Sequence, residues 1–132
     1  MIHLSMNSKE RSIIYHGKIF IIEWFENESG KSQARAFFKS LSNQARAKVL
    51  SLFERMGDIG KIYDKTKFRH ERGEIYAFKP QPHRFLSCFC KGQRIIVLTG
   101  FTKKSKKIPA KELKRAQDYF KEFQKKEGGQ SE

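Results

Sequence analysis

RFLSCFCKGQRIIVLTGFTKKSKKIP, residues 84–109, contains two apolar runs joined at Lys91-Gly92 and followed at once by a dense lysine cluster. Phe, Ile, Val and Cys dominate both runs, and the Lys91-Gly92-Gln93 connection is short enough for an antiparallel hairpin. The pattern predicts strands over 84–90 and 94–101. RIIVLTGF is almost continuously apolar, as expected of a central strand covered on both faces, whereas its neighbour alternates more clearly. Lys103, Lys104, Lys106 and Lys107 then crowd one rim of that sheet. Their mutual repulsion is relieved by an anionic partner, and RNA is the commonest cytosolic polyanion.

Upstream, GEIYAFK predicts a strand over 74–79, linked through Pro80-Gln81-Pro82 to the next and completing a meander. Residues 58–73 are polar, include Gly60 and Gly73, and carry Lys61, Lys65, Lys67, Arg69 and Arg72, so they read as a long surface loop. Before them lie two amphipathic stretches of period 3.6. Ala34, Phe37, Phe38 and Leu41 mark one, and Ala45, Val49, Leu52, Phe53 and Met56 mark the other. N-cap chemistry at Ser42 or Asn43 makes them a hairpin of helices over 30–40 and 43–57, with Gly57 as the stop. Residues 12–25 are β-rich, with a tight turn at His16-Gly17 between two strands or, at minimum, one strand over 18–25. Pro109 opens a last helix over 110–126, with Leu113, Ala116, Phe120 and Phe123 as its apolar stripe and Gly128-Gly129 as its stop. Tyr119 falls at the edge of that stripe, and 128–132 is expected to be a disordered tail. The order β-α-α-β-β-β-α predicts an α+β fold in a single domain over 1–132. Its antiparallel sheet has about four strands, with helices on one face and the other face open for function.

A chain of 132 residues is long enough for one real core and too short for two. The formal charge is +14, and it is uneven. Residues 1–60 hold nine Lys/Arg against six Asp/Glu, whereas 61–132 hold nineteen against eight. A basic half of this kind favours nucleic acid or ribosome as partner. MIHLSMNSKE lacks the apolar core of a signal peptide, and no window approaches the roughly 18 apolar residues of a membrane span, so a cytoplasmic protein with no membrane partner is expected. Cys88 and Cys90 share a strand face and are expected to be reduced fillers. A zinc site built on them with His83 lacks a fourth ligand and the usual spacing, so neither metal nor cofactor is expected. His3, His16 and His70 show no partner pattern.

The element order, together with GEIYAFKP…HRFLSCFCKGQRIIVLTGFTKKSKKIPAKELKRAQDYF at 73–120, resembles the RelE/HigB-like toxins of bacterial type II toxin–antitoxin pairs, especially their phage-derived branch. The specific part is a strand ending in Phe78-Lys79, Arg84-Phe85 opening the next, and Gly100-Phe101 followed by Lys103-Lys104. The resemblance implies a RelE-like microbial RNase fold and a metal-independent endoribonuclease that cuts mRNA, often at the 70S ribosome. It also implies a cognate antitoxin, commonly a helix-turn-helix DNA-binding protein. The same superfamily includes ParE-like gyrase inhibitors, and a noncatalytic RNA- or ribosome-binding protein accounts for the charge as well.

Metal-free RNA cleavage needs a base for the 2′-hydroxyl, positive charge for the phosphorane and an acid for the leaving 5′-oxygen. The resemblance assigns Lys79 to proton transfer or phosphate contact, Arg84 to the scissile phosphate, and Lys104 to transition-state charge with Lys103 as its rival. His83 is the candidate acid because histidine alone titrates unperturbed near neutrality. Crowded cations also depress a lysine pKa and make it a better base. Lys67, Arg69, Arg72, Arg94, Lys106 and Lys107 are expected to clamp the RNA backbone.

Overall fold

The computed structural model describes residues 12–131, and of 129–131 only the backbone. His3 and Glu132 lie outside the described residues. In chain order the elements are β1 (Ile13–His16), β2 (Ile21–Trp24), α1 (Gln33–Ser40), α2 (Asn43–Ile59) and β3 (Phe68–Arg72). There follow β4 (Ile75–Phe78), β5 (His83–Cys90), β6 (Arg94–Thr102) and α3 (Ala110–Ser131). The fold is α+β and forms one domain, as expected, but the sheet has six strands in the order β1-β2-β6-β5-β4-β3 and is mixed. β2 runs parallel to β6, with Ile22 opposite Ile95 and Trp24 opposite Val97, and the other pairs are antiparallel.

Of the two extra strands, one comes from a segment whose sequence masks it and the other from the turn offered at His16-Gly17. The expected loop at 58–73 contains β3, whose FRHER sequence is charged because it forms the sheet's outer edge, where charge discourages pairing with a foreign strand. At the other edge, His16-Gly17 begins a true hairpin turn between β1 and β2. Gly17 is required there because its Cα rests on α2, where an added Cβ would stand 2.2 Å from the Gly57 carbonyl carbon. The Gly57 oxygen accepts from the Ile19 and Phe20 N–H groups at 2.7 and 2.9 Å. Gly57 is therefore a docking point inside α2, and the helix ends instead at Gly60, in the left-handed region with φ 83°.

Ser32 and Ser42 cap α1 and α2, each hydroxyl accepting a backbone N–H at 3.1 Å. The helical hairpin covers one sheet face through Ala34, Val49, Leu52, Phe53 and Met56, packed on Trp24, Phe78, Phe85 and Val97. The expectation that the opposite face is open is incorrect. α3 lies across it, with Ala116 and Phe123 buried among Phe25, Ala77, Leu86, Ile96 and Leu98. Tyr119 packs on Phe25 with ring centroids 5.1 Å apart, at the edge of that second core. The two layers explain why β6 is apolar on both sides, since Ile95 and Val97 face one core and Ile96 and Leu98 the other. α3 also runs through the Gly128-Gly129 pair expected to stop it and begin a tail, reaching Ser131. Glycine weakens a helix by about 1 kcal/mol relative to alanine but, unlike proline, removes no hydrogen bond.

Candidate active site

The end of β4, the start of β5 and the end of β6 meet at one rim of the sheet. Backbone bonds fix this meeting. The Lys79 N–H donates to the Lys67 oxygen at 2.8 Å, the His83 N–H to Pro80 at 2.9 Å, and the Lys103 N–H to Pro82 at 2.9 Å. In the β5–β6 ladder His83 faces Thr102 and Arg84 faces Phe101. Cations separated by up to 24 positions in sequence thus gather around one turn, residues 79–82.

Arg84 stands at the centre of this rim. It is 5% exposed, yet among the described residues no carboxylate lies within ion-pair distance of it. Its Nη1 donates to the Gln81 Oε1 at 3.1 Å and to the His83 oxygen at 2.9 Å, both neutral acceptors. Burial lowers its pKa, and Glu71 on β3 opposes that shift from a distance. A guanidinium held in this way carries an unneutralised charge in a preformed position, suited to a bidentate anion such as phosphate.

Lys79 belongs to the same cluster. Its Nζ donates to the Lys65 oxygen at 3.0 Å. Its pKa falls below the ordinary 10.5 through burial first, then through the charges of Arg84, Arg69 and Lys103, against a smaller opposing pull from Glu71. The structure therefore brings together Lys79, Arg84 and Lys103. Lys104 follows on the exposed loop after β6.

His83 does not join them. It shares a strand face with Phe85 and packs edge-on against Phe37 of α1, with centroids 5.6 Å apart, whereas Arg84 points from the opposite face. Its Nδ1 lies 3.1 Å from the Thr102 Oγ1. Burial and then the charges of Arg84 and Lys48 lower its pKa, which favours the neutral ring. The ring expected to act as general acid therefore sits on the α1 side of the sheet, within the field of Arg84 and Lys48.

Arg94 is a second correction. It lies at the opposite end of β6, with 16% of its side chain exposed, and its Nε and Nη2 donate to the Glu23 carboxylate at 2.6 and 3.0 Å. Nη1 reaches Glu127 of α3 at 3.1 Å, and the guanidinium lies 5.7 Å from the Phe123 ring centroid. Two carboxylates neutralise it and raise its pKa, so it joins β2, β6 and α3 and is not available to RNA. Lys67, Arg69, Arg72, Lys106 and Lys107 are exposed, as clamps require. Near Arg94, Cys88 is buried and free, and burial pushes its thiol up to about 12, which makes it inert.

Two glutamines were not apparent from the sequence. Gln81 links Arg84 to the 64–67 turn, its Nε2 donating to the Thr66 oxygen at 3.2 Å. Gln33 of α1 grips Gly100, donating to its oxygen at 2.7 Å and accepting its N–H at 2.8 Å. Gly100 must be glycine because a Cβ would stand 2.8 Å from both Phe37 and Phe85. The placement of glutamine directly after Pro80, and of glycine inside an apolar strand, was the available signal.

With this rim in view, comparison with protein families matches residues 36–121 to the family described as phage derived protein Gp49-like (DUF891). The chain belongs to that family. Gp49-like proteins fall within the RelE/ParE-like toxin superfamily, which is consistent with the toxin of a toxin–antitoxin pair and implies an antitoxin partner. The match runs from α1 into α3 and includes every residue of the 79–104 rim, whereas β1 and β2 precede it. No curated protein sequence matches the chain. Among the described residues no helix is long and apolar enough to cross a membrane.

Proposed function

We propose that this Gp49-like protein is a HigB-like toxin, a single-domain cytoplasmic endoribonuclease that cuts mRNA, probed most directly on translating 70S ribosomes. A helix-turn-helix antitoxin holds it inactive. The observation that carries this reading is Arg84, a buried guanidinium without a carboxylate partner, set beside a lysine of lowered pKa.

Arg84 grips the scissile phosphate through its planar fork. Lys79, whose free-amine fraction is raised by its surroundings, takes the 2′-hydroxyl proton, and the resulting alkoxide attacks the adjacent phosphorus. Lys103 and Lys104 stabilise the charge of the phosphorane, and Lys103, the one beside Lys79, returns a proton to the departing 5′-oxygen. The products are a 2′,3′-cyclic phosphate and a 5′-hydroxyl. Every charge in this scheme comes from a side chain of the rim, and no step is assigned to a metal ion. His83 has a packing role.

The test is 5′-end mapping of a reporter mRNA in a reconstituted translation reaction, with and without ribosomes, using wild type and Arg84→Ala. Cuts made by wild type alone support the reading, and their presence or absence without ribosomes defines ribosome dependence. Intact mRNA in both reactions overturns it.

A further inference from the structure

Beside the rim, between α2 and the 64–67 turn, lies a cleft of about 490 Å³. Lys79 and Gln81 line it and also belong to the Arg84 cluster, so cleft and cluster share a wall. Its body is apolar, formed by Ala47, Leu52 and Pro80, and Lys48 and Lys67 join Lys79 around the opening. Among the described residues no acidic side chain lines it. Two of its polar side chains, Thr66 and Gln81, are engaged internally. The Thr66 N–H and hydroxyl both donate to the Asp64 Oδ1, at 2.9 and 2.6 Å, and Gln81 spans Thr66 and Arg84. The cleft continues along α2 into a second recess of about 330 Å³ that shares Ser51, Leu52 and Lys67. Tyr63 lines that recess and is 80% exposed, an unusual exposure for an aromatic residue in a chain whose Trp and most Phe are packed.

An apolar slot ringed by cations suits a flat apolar group carried on a polyanion. We propose that this track along α2 holds two successive nucleobases of single-stranded RNA next to the scissile phosphate, one in the cleft and the next on the face of Tyr63. The inference rests on the RNA-cleaving reading above and adds how the strand is held. Because Thr66 and Gln81 are engaged with protein partners, the track binds bases by stacking and apolar contact and reads their edges weakly. The presence of a base then matters more than its identity.

The probe is a fluorescein-labelled single strand of about eight nucleotides with 2′-fluoro riboses, which lack the nucleophile and cannot be cut. A single abasic site is walked along it, and affinity is read by anisotropy. Wild type is expected to bind about tenfold more weakly when either of two adjacent positions is abasic, and to change far less when the base there is exchanged. Ala47→Phe, which fills the cleft from an exposed helix position, should bind the intact strand and one of those abasic strands alike. Tyr63→Ala should do so for the other. Unchanged thermal midpoints for both variants establish that the fold is intact. Equal binding of every abasic strand by a protein that still cleaves RNA overturns the track alone, as does base sensitivity unaltered in both variants. Failure to bind the probe at all also overturns the track, and the mapping of cuts on ribosomes decides the RNA-cleaving reading separately.

Discussion

Arg84 and Arg94 stand at opposite ends of the same β5–β6 ladder, and the protein treats them in opposite ways. Arg94 reaches two carboxylates, Glu23 and Glu127, and ties three elements together. Arg84 is more deeply buried and is given two neutral oxygens. A buried charge costs several kcal/mol unless paired, so a fold selected for stability alone would pair both. The asymmetry separates an arginine used by the fold from one kept available for a ligand.

The largest effect expected at either end is on chemistry. Arg84→Ala should lower the cleavage rate by about 10²–10³-fold, as loss of a preorganised charge donor does, with the fold retained. A rate within a few-fold of wild type in single-turnover cleavage would erase the distinction between the two ends. Next, Arg94→Ala should lower stability by roughly 3 kcal/mol, the lower end of what breaking a buried pair costs, because Glu23 is left buried without its partner. Urea unfolding checks this, and cleavage per folded molecule should be unchanged. A smaller effect sharpens the view of the Arg84 end. Lys79 is held below its ordinary pKa, so its amine loses its proton earlier than a free lysine, and cleavage should rise with pH as that proton leaves. In Lys79→Arg the group stays charged throughout, and a pH–rate profile should be lower and flat over the same range. A rise that persists in this variant would move the proton transfer elsewhere. The smallest effect concerns the surface. With Arg94 removed from the clamps, five remain, which sets the log-log salt slope for single-stranded RNA at about −3.5. Lys106→Ala should reduce its magnitude by about 0.7.

The same comparison shows what could be read from the sequence. The meander, the helical hairpin with its Ser42 cap and the basic rim follow from local pattern, and each lies where periodicity predicts it. Arg94 was assigned to RNA because a sequence shows charge but not its neutralisation, and Glu23 and Glu127 lie 71 and 33 positions away. The setting of His83 was hidden for a related reason. Strand alternation sends it away from Arg84 although the two are adjacent in sequence. β3 escaped notice because a charged edge strand has no apolar alternation to reveal it. Coverage of the second sheet face was implicit in RIIVLTGF, whose two apolar faces require two layers.

The Gln33 amide bears on what the far end of β6 can pair with. β2 accompanies β6 only as far as Val97, and beyond it the N–H and oxygen of Gly100 face outward as half of an unfinished ladder. Gln33 answers both with one side chain, acting as a one-residue surrogate strand. A central strand is thereby closed to invasion by a neighbour's β-segment at the point where the sheet is most apolar and a misplaced pairing would seed aggregation.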